Sequence, residues 1–188
     1  MASLVAHYGT AASAGYQTAI RLLVFFIMPA WGLSSSVATL VGQNLGAGKP
    51  ERVMESVRVA LLYNIIFMAL VTVFFYTLGI HLSSFFATDQ ETIRYAVDTL
   101  KVISSAYIFY GMGMVFINVF NGAGETKAPT YINILGFWCI QIPLAYLMYY
   151  VWKVDFIWLV AAIPFAETLI SIFSYLYFRS GKWKKAKV

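Results

Sequence analysis

The chain of 188 residues is 61% apolar and only 11% charged, with a positive mean hydropathy. Those proportions exclude an ordinary soluble domain and place the chain in a bilayer, where length is counted in spans of roughly 20 apolar residues. The net charge of +5 is not gathered into a basic patch interleaved with aromatics, so membrane lipid is an expected partner and nucleic acid is not.

In chain order, residues 1–20 lack formal charge but are rich in Ala, Ser, Gly and Thr, so only the first of them read as the end of another helix, without the basic start of a cleavable signal. Charge-free runs then occupy 22–48, 59–88, 102–124 and 128–152, and each is long enough to cross about 30 Å of hydrocarbon. A fifth apolar run, 156–178, carries Glu167 near its centre. The expected helices are 16–47, 53–86, 92–121, 128–151 and 156–179, which makes an all-α integral membrane protein of five transmembrane helices plus the tail of a sixth.

Between the first two runs lies GQNLGAGKPERV, which has the glycines and lysine of a phosphate loop. A Walker loop ending at Gly48-Lys49 needs glycine at 43 and a hydroxyl at 50, and the chain has Gln43 and Pro50. The stretch reads instead as a helical hairpin: glycines close one helix, Pro50 opens the next and Glu51 complements its positive end. GAGETKAPT, at 122–130, is a shorter echo.

Lys and Arg collect on the cytoplasmic side of membrane proteins. With the tail FRSGKWKKAKV inside, alternation places Lys49, Arg52, Arg58 and Lys127 inside too, and leaves Arg21, Arg94, Lys101 and Lys153 at or near the outer face. Trp152, Trp158, Tyr149 and Tyr150 then mark the outer boundary and Trp183 the inner one, as amphipathic anchors. His7 and His81 fall near the outer boundary.

Chemistry-bearing residues are scattered singly, which argues against an enzyme and against a cofactor or metal site. The one cysteine, Cys139, forms no disulfide within the chain and reads as a small buried hydrophobe. Glu167 stands out, because a carboxylate at mid-bilayer is costly unless paired, hydrated or protonated. Ion coupling, cation contact and drug contact each account for it, as does a protonated glutamate bonded to a neighbouring helix. Arg21 either snorkels to water or faces a cavity. Gln17, Asn118, Gln141, Tyr107 and Tyr110 either line a cleft whose rings attract cations or hydrogen-bond between helices. Pro29, Pro143 and Pro164 lie inside spans and permit kinks.

The run from Tyr16 through PAWGLSSSVATLVGQNLGAGKPERV, followed by FNGAGETKAP and IPLAYL, resembles the C-terminal half of a multidrug and toxic compound extrusion (MATE) transporter. That family has twelve helices in two six-helix lobes. The resemblance implies that residues 1–188 form the C-terminal lobe, from the tail of the seventh helix through the twelfth, with the N-terminal lobe as missing partner. It further implies a prokaryotic plasma-membrane exporter of amphipathic, often cationic compounds, driven by proton or sodium antiport through alternating access and needing no cofactor. One departure bears on coupling: some branches carry an acid midway along the tenth helix, and AYIFYGMGMVF, at 106–116, has none. Two alternatives stand beside export. A lipid-linked-oligosaccharide flippase of the same superfamily is expected to carry more intramembrane cations than Arg21 alone, and a non-transporting remnant or assembly subunit is the other.

Overall fold

The computed structural model describes residues 1–185; residues 186–188, which close the basic tail, lie outside the described residues. Two short turns, α1 (Ala2–Val5) and a 3₁₀ turn at Ala6–Tyr8, precede α2 (Thr10–Gly46), α3 (Pro50–Ser84), α4 (Gln90–Ser104) and α5 (Tyr107–Gly122). A mixed helix follows, with α6 (Lys127–Asn133), a π-helical stretch at Ile134–Gln141, α7 (Ile142–Tyr146) and a second π stretch at Leu147–Val151. The last long helix is α8 (Phe156–Ser180), and Lys182–Lys185 form a 3₁₀ turn. Among the described residues, four helices are long and apolar enough to cross a membrane, and the bent pair α4 and α5 makes up to five.

That bend is where the structure departs from the sequence reading. One helix was expected over 92–121; instead α4 and α5 meet at 52°. The break falls at Ser105 and Ala106, just after Ser104, and paired serines are small polar residues of the kind that interrupt helices. Ser105 Oγ donates to the Val102 carbonyl, and Thr72 Oγ1 of α3 donates to the Ser104 carbonyl at 2.9 Å. The second irregularity surrounds Pro143, whose ring removes an N–H, and the wider π turns on either side re-pair the backbone.

Both glycine hairpins close with the same geometry. After α2, Lys49 N–H reaches the Asn44 carbonyl and Gly48 N–H reaches Leu45, with Gly48 at φ 67°. After α5, Glu125 N–H reaches Phe120 and Gly124 N–H reaches Asn121, with Gly124 at φ 78°. These are paired Schellman closures, which satisfy the last carbonyls of each helix. Pro50 then starts α3, whereas Glu125 Oε1 accepts from the N–H groups of Lys127 and Ala128 to start α6.

Two apolar clusters hold the bundle. At one end Val37, Val41, Val53, Val57, Val119 and Phe120 pack around Trp183. The basic residues Lys49, Arg52, Lys127 and Arg179 flank the helix ends that meet there. Trp183 is fully buried, stacked on Phe178 at 5.3 Å and donating to its carbonyl, so it is a packing residue rather than an interfacial anchor. At the other end Leu4, Val5, Tyr16, Leu100 and Phe156 form the second cluster, beside Tyr8, whose hydroxyl donates to Val154. Cys139, expected to be buried, is exposed on the π stretch that follows α6.

Close helix approach depends on small residues, as it does in bilayers generally. Gly122 lies directly against the Ala38 backbone, and Gly42 approaches the Gly122 carbonyl, so α2 and α5 cross with almost no side chain between them. Gly46 occupies the same place as Gly122 in the preceding hairpin but faces open space. Gly122→Ala is therefore expected to cost about 1–3 kcal/mol by overpacking, while Gly46→Ala is neutral or slightly stabilising. Thermal unfolding of the two variants in detergent checks the contrast.

A second expectation concerns Asp89, which caps α4 by accepting from both the N–H and the hydroxyl of Thr92 at 2.9 Å. Those bonds hold its carboxyl below the ordinary aspartate value. A depressed native pKa contributes stability above the unfolded value and loses it as pH falls through the native one. The melting-temperature gap between wild type and Asp89→Asn should accordingly be widest near neutral pH and close as pH drops below the usual aspartate range.

Candidate functional site: a carboxyl in an aromatic cleft

Glu167 lies near the middle of α8, one turn beyond Pro164, where Thr168 Oγ1 donates to the proline's carbonyl. Two adjoining cavities open on it. The first, of ≈ 180 Å³, lies among α2, α5 and α8 and is lined by Ile20, Leu23, Val24, Ile27, Tyr107, Ile163 and Pro164. The second, of ≈ 210 Å³, runs toward α6 and is lined by Met114, Asn118, Asn133, Phe137 and Ile170. Trp31, Tyr110 and Glu167 border both.

The local structure explains this convergence. On α2 the positions Ile20, Leu23, Val24, Ile27 and Trp31 recur at helical spacing and turn one stripe toward the cleft. Pro29 interrupts the ladder just before Trp31. The backbone there is held by Ser34 Oγ, which donates to the Ala30 carbonyl at 2.8 Å, and by Asn64 Nδ2 of α3, which donates to Ala30 at 3.2 Å and to Ser34 Oγ at 2.8 Å. Tyr107 opens α5 just past the 52° bend and donates to the Leu23 carbonyl at 3.3 Å, which fixes the wall between α2 and α5.

Among the described residues no cation and no hydrogen-bond donor pairs with the Glu167 carboxyl, and neither cavity is lined by Lys, Arg or His. Trp31 and Tyr110 line both cavities with it. A lone carboxyl among aromatic faces, in an otherwise apolar cleft, attracts a proton, a metal cation or an organic cation, and repels an anion.

Of the residues singled out from the sequence, Glu167, Tyr107, Tyr110 and Asn118 come together here. Asn118 donates an amide N–H to the Met114 carbonyl of its own helix and lines the second cavity. The others stand apart. Gln17 and Arg21 are exposed on α2, and Arg21 lines a different groove with His81. Gln141 sits at the end of the first π stretch, with its Oε1 buried and unpaired among the described residues. Trp31 and Asn133 were missed. Trp31 was legible as the last member of the α2 stripe, but tryptophan in a membrane chain reads first as an interfacial anchor.

The chain spans about 40% of the length of the curated relatives it matches. It is 27% identical over 99% of its residues to the probable multidrug resistance protein YoeA of Bacillus subtilis, covering 40% of that protein. It is 28% identical over 96% of its residues to the probable multidrug resistance protein NorM of Thermotoga maritima, covering 39%. Among solved structures, a MOP superfamily transporter from Pyrococcus furiosus superposes with a TM-score of 0.88 at 16% identity, over 95% of this chain and 40% of that one, a likeness of fold. The MatE family model matches residues 1–147, and the chain therefore belongs to the MatE family of membrane transporters.

Proposed function

We propose that the chain is the C-terminal lobe of a secondary active exporter of amphipathic, often cationic compounds, in which the Glu167 cleft takes the cargo or the coupling cation. The observation that carries this reading is the unpartnered carboxyl at mid-helix, faced by Trp31 and Tyr110. Membership of a transporter family and the multidrug names of the relatives support export over catalysis. The chain's length, about 40% of those relatives, supports a second lobe as partner, since alternating access needs two bundles to rock about a central site.

On this reading the carboxyl alternates between two states. Loaded with a proton or sodium ion it is neutral in the cleft; unloaded it is a charge that favours an organic cation between the rings. The two occupants exclude each other at one site, which is the physical content of antiport. The cleft's lack of lining cations favours this over flipping of a lipid-linked pyrophosphate.

Glu167→Gln keeps the side chain's shape and removes its charge. In a longer protein containing this lobe it should lower cation efflux by about ten-fold or more, or flatten its pH or sodium dependence, with the amount of folded protein unchanged. Dye efflux from proteoliposomes reads the transport and fluorescence-detected gel filtration reads the fold. Wild-type efflux in Glu167→Gln across pH and sodium, with Glu167→Ala lowering only the folded yield, makes the residue a packing element.

The same reading places the basic end of the bundle in the cytoplasm, at the plasma membrane of a prokaryotic cell. In a Cys139→Ser background, Lys184→Cys should resist impermeant maleimide in intact cells and react after lysis. Ser13→Cys should react from outside. The opposite labelling pattern reverses the orientation.

A further inference from the structure

Arg21 is not needed by the cleft, and the structure puts it to a different use. It lines a groove of ≈ 580 Å³ between α2 and α3, at the end of the bundle away from the basic hairpins. Thr18, Arg21 and His81 are the polar lining residues, and the rest of the wall is Leu22, Phe25, Phe26, Leu78, Leu82, Phe85 and Phe86. No lining residue is acidic. Thr18 and Arg21 lie three residues apart and share a helix face, so hydroxyl and guanidinium point the same way. Phe85 is 90% exposed and Phe86 63% exposed at the end of α3, large apolar rings left without cover on the groove's rim.

We infer that this groove binds an anionic phospholipid, with its phosphate at Arg21 and His81 and an acyl chain along Phe25, Phe26, Leu82 and Phe85.

Three features select this occupant. A guanidinium presents paired N–H donors that match two phosphate oxygens, and here it has no carboxylate in the lining to take them. An apolar wall running from a basic mouth requires an amphiphile, and free inorganic phosphate leaves that wall uncovered. A choline or ethanolamine headgroup brings its own cation, which finds no acid in the groove and is pushed toward Arg21. The lipid that satisfies all three has a net negative headgroup such as glycerol phosphate. This inference rests only on the chain's place in a membrane and is independent of the role of Glu167.

Native mass spectrometry of the 188-residue chain, after equilibration with equimolar phosphatidylglycerol and phosphatidylcholine of matched acyl chains, tests it. Wild type should retain phosphatidylglycerol over phosphatidylcholine by about five-fold or more. Arg21→Gln should bring the ratio to about one. Leu82→Trp, which leaves Arg21 and His81 in place but fills the apolar part, should lower retention of both lipids and guards against a folding defect in the first variant. Arg179→Gln, at the opposite end, should leave the ratio unchanged. Equal retention by wild type, a preference that survives Arg21→Gln, loss of the preference in Arg179→Gln, or displacement of phosphatidylglycerol by millimolar inorganic phosphate each overturns the assignment.

Discussion

Hydrocarbon offers no partner to a backbone N–H or C=O, so every interruption of a helix in this bundle has to be repaired by the protein itself. The repairs are specific. Thr72 reaches from α3 to the Ser104 carbonyl at the bend, while beyond Pro29, which frees the Phe25 carbonyl, Asn64 and Ser34 add bonds to the neighbouring Ala30 carbonyl. Past Pro164 the Thr168 hydroxyl adds a bond back to the Pro164 carbonyl, and π turns flank Pro143. Three of these interruptions border the same space: Trp31 follows Pro29, Tyr107 follows the bend, and Pro164 itself lines the cavity beside Glu167. Irregular backbone is tolerated where it lines a cavity, and here the cavity lies where the irregularities meet.

Packing around that space divides the labour. The glycine crossings of α2 with α5, and of Gly15 with Thr92, Tyr95 and Ala96 on α4, bring backbones close and leave no room for a ligand. Between these tight crossings α2, α5 and α8 leave the space that Trp31, Tyr110 and Glu167 line. The Trp183 cluster at the basic end ties α2, α3 and α5 to the end of α8, so the helices are pinned at their termini and open at mid-height.

Much of this was readable from residue order. Charge-free runs separated the spans, and the repeated Gly-Ala-Gly predicted two hairpins whose closures match bond for bond. The bend was not legible, because the Ser-Ser pair lies inside an apolar run whose composition does not report direction. The π turns were not legible either: Pro143 announces a lost hydrogen bond, while the manner of its replacement depends on neighbours. In the site, Glu167 was conspicuous because charge in a bilayer always needs a reason, and its aromatic neighbours were half-visible because they are distant in sequence. Arg21 was left between two readings by the same logic. A charge within an apolar run signals a polar environment without saying which one, and on α2 that environment is the groove shared with His81.

Asn64 and Glu167 show how differently two polar residues of one bundle are partnered. Asn64 is fully buried, and its amide N–H groups are spent on Ala30 and Ser34, which fastens α3 to the weakened part of α2. Gly111 of α5 sits so close to its remaining oxygen that a side chain there has no space, and that oxygen has no partner among the described residues. The amide can remain in that position because it is neutral, so one unmade bond is a bounded cost set against two that are made. A carboxylate has no such margin in low dielectric, where a charge without a partner is far more expensive than a neutral dipole. Glu167 is accommodated in the same bundle because it faces cavity instead of packed backbone. Under the proposed function, the partner that its charge requires is something able to arrive and leave.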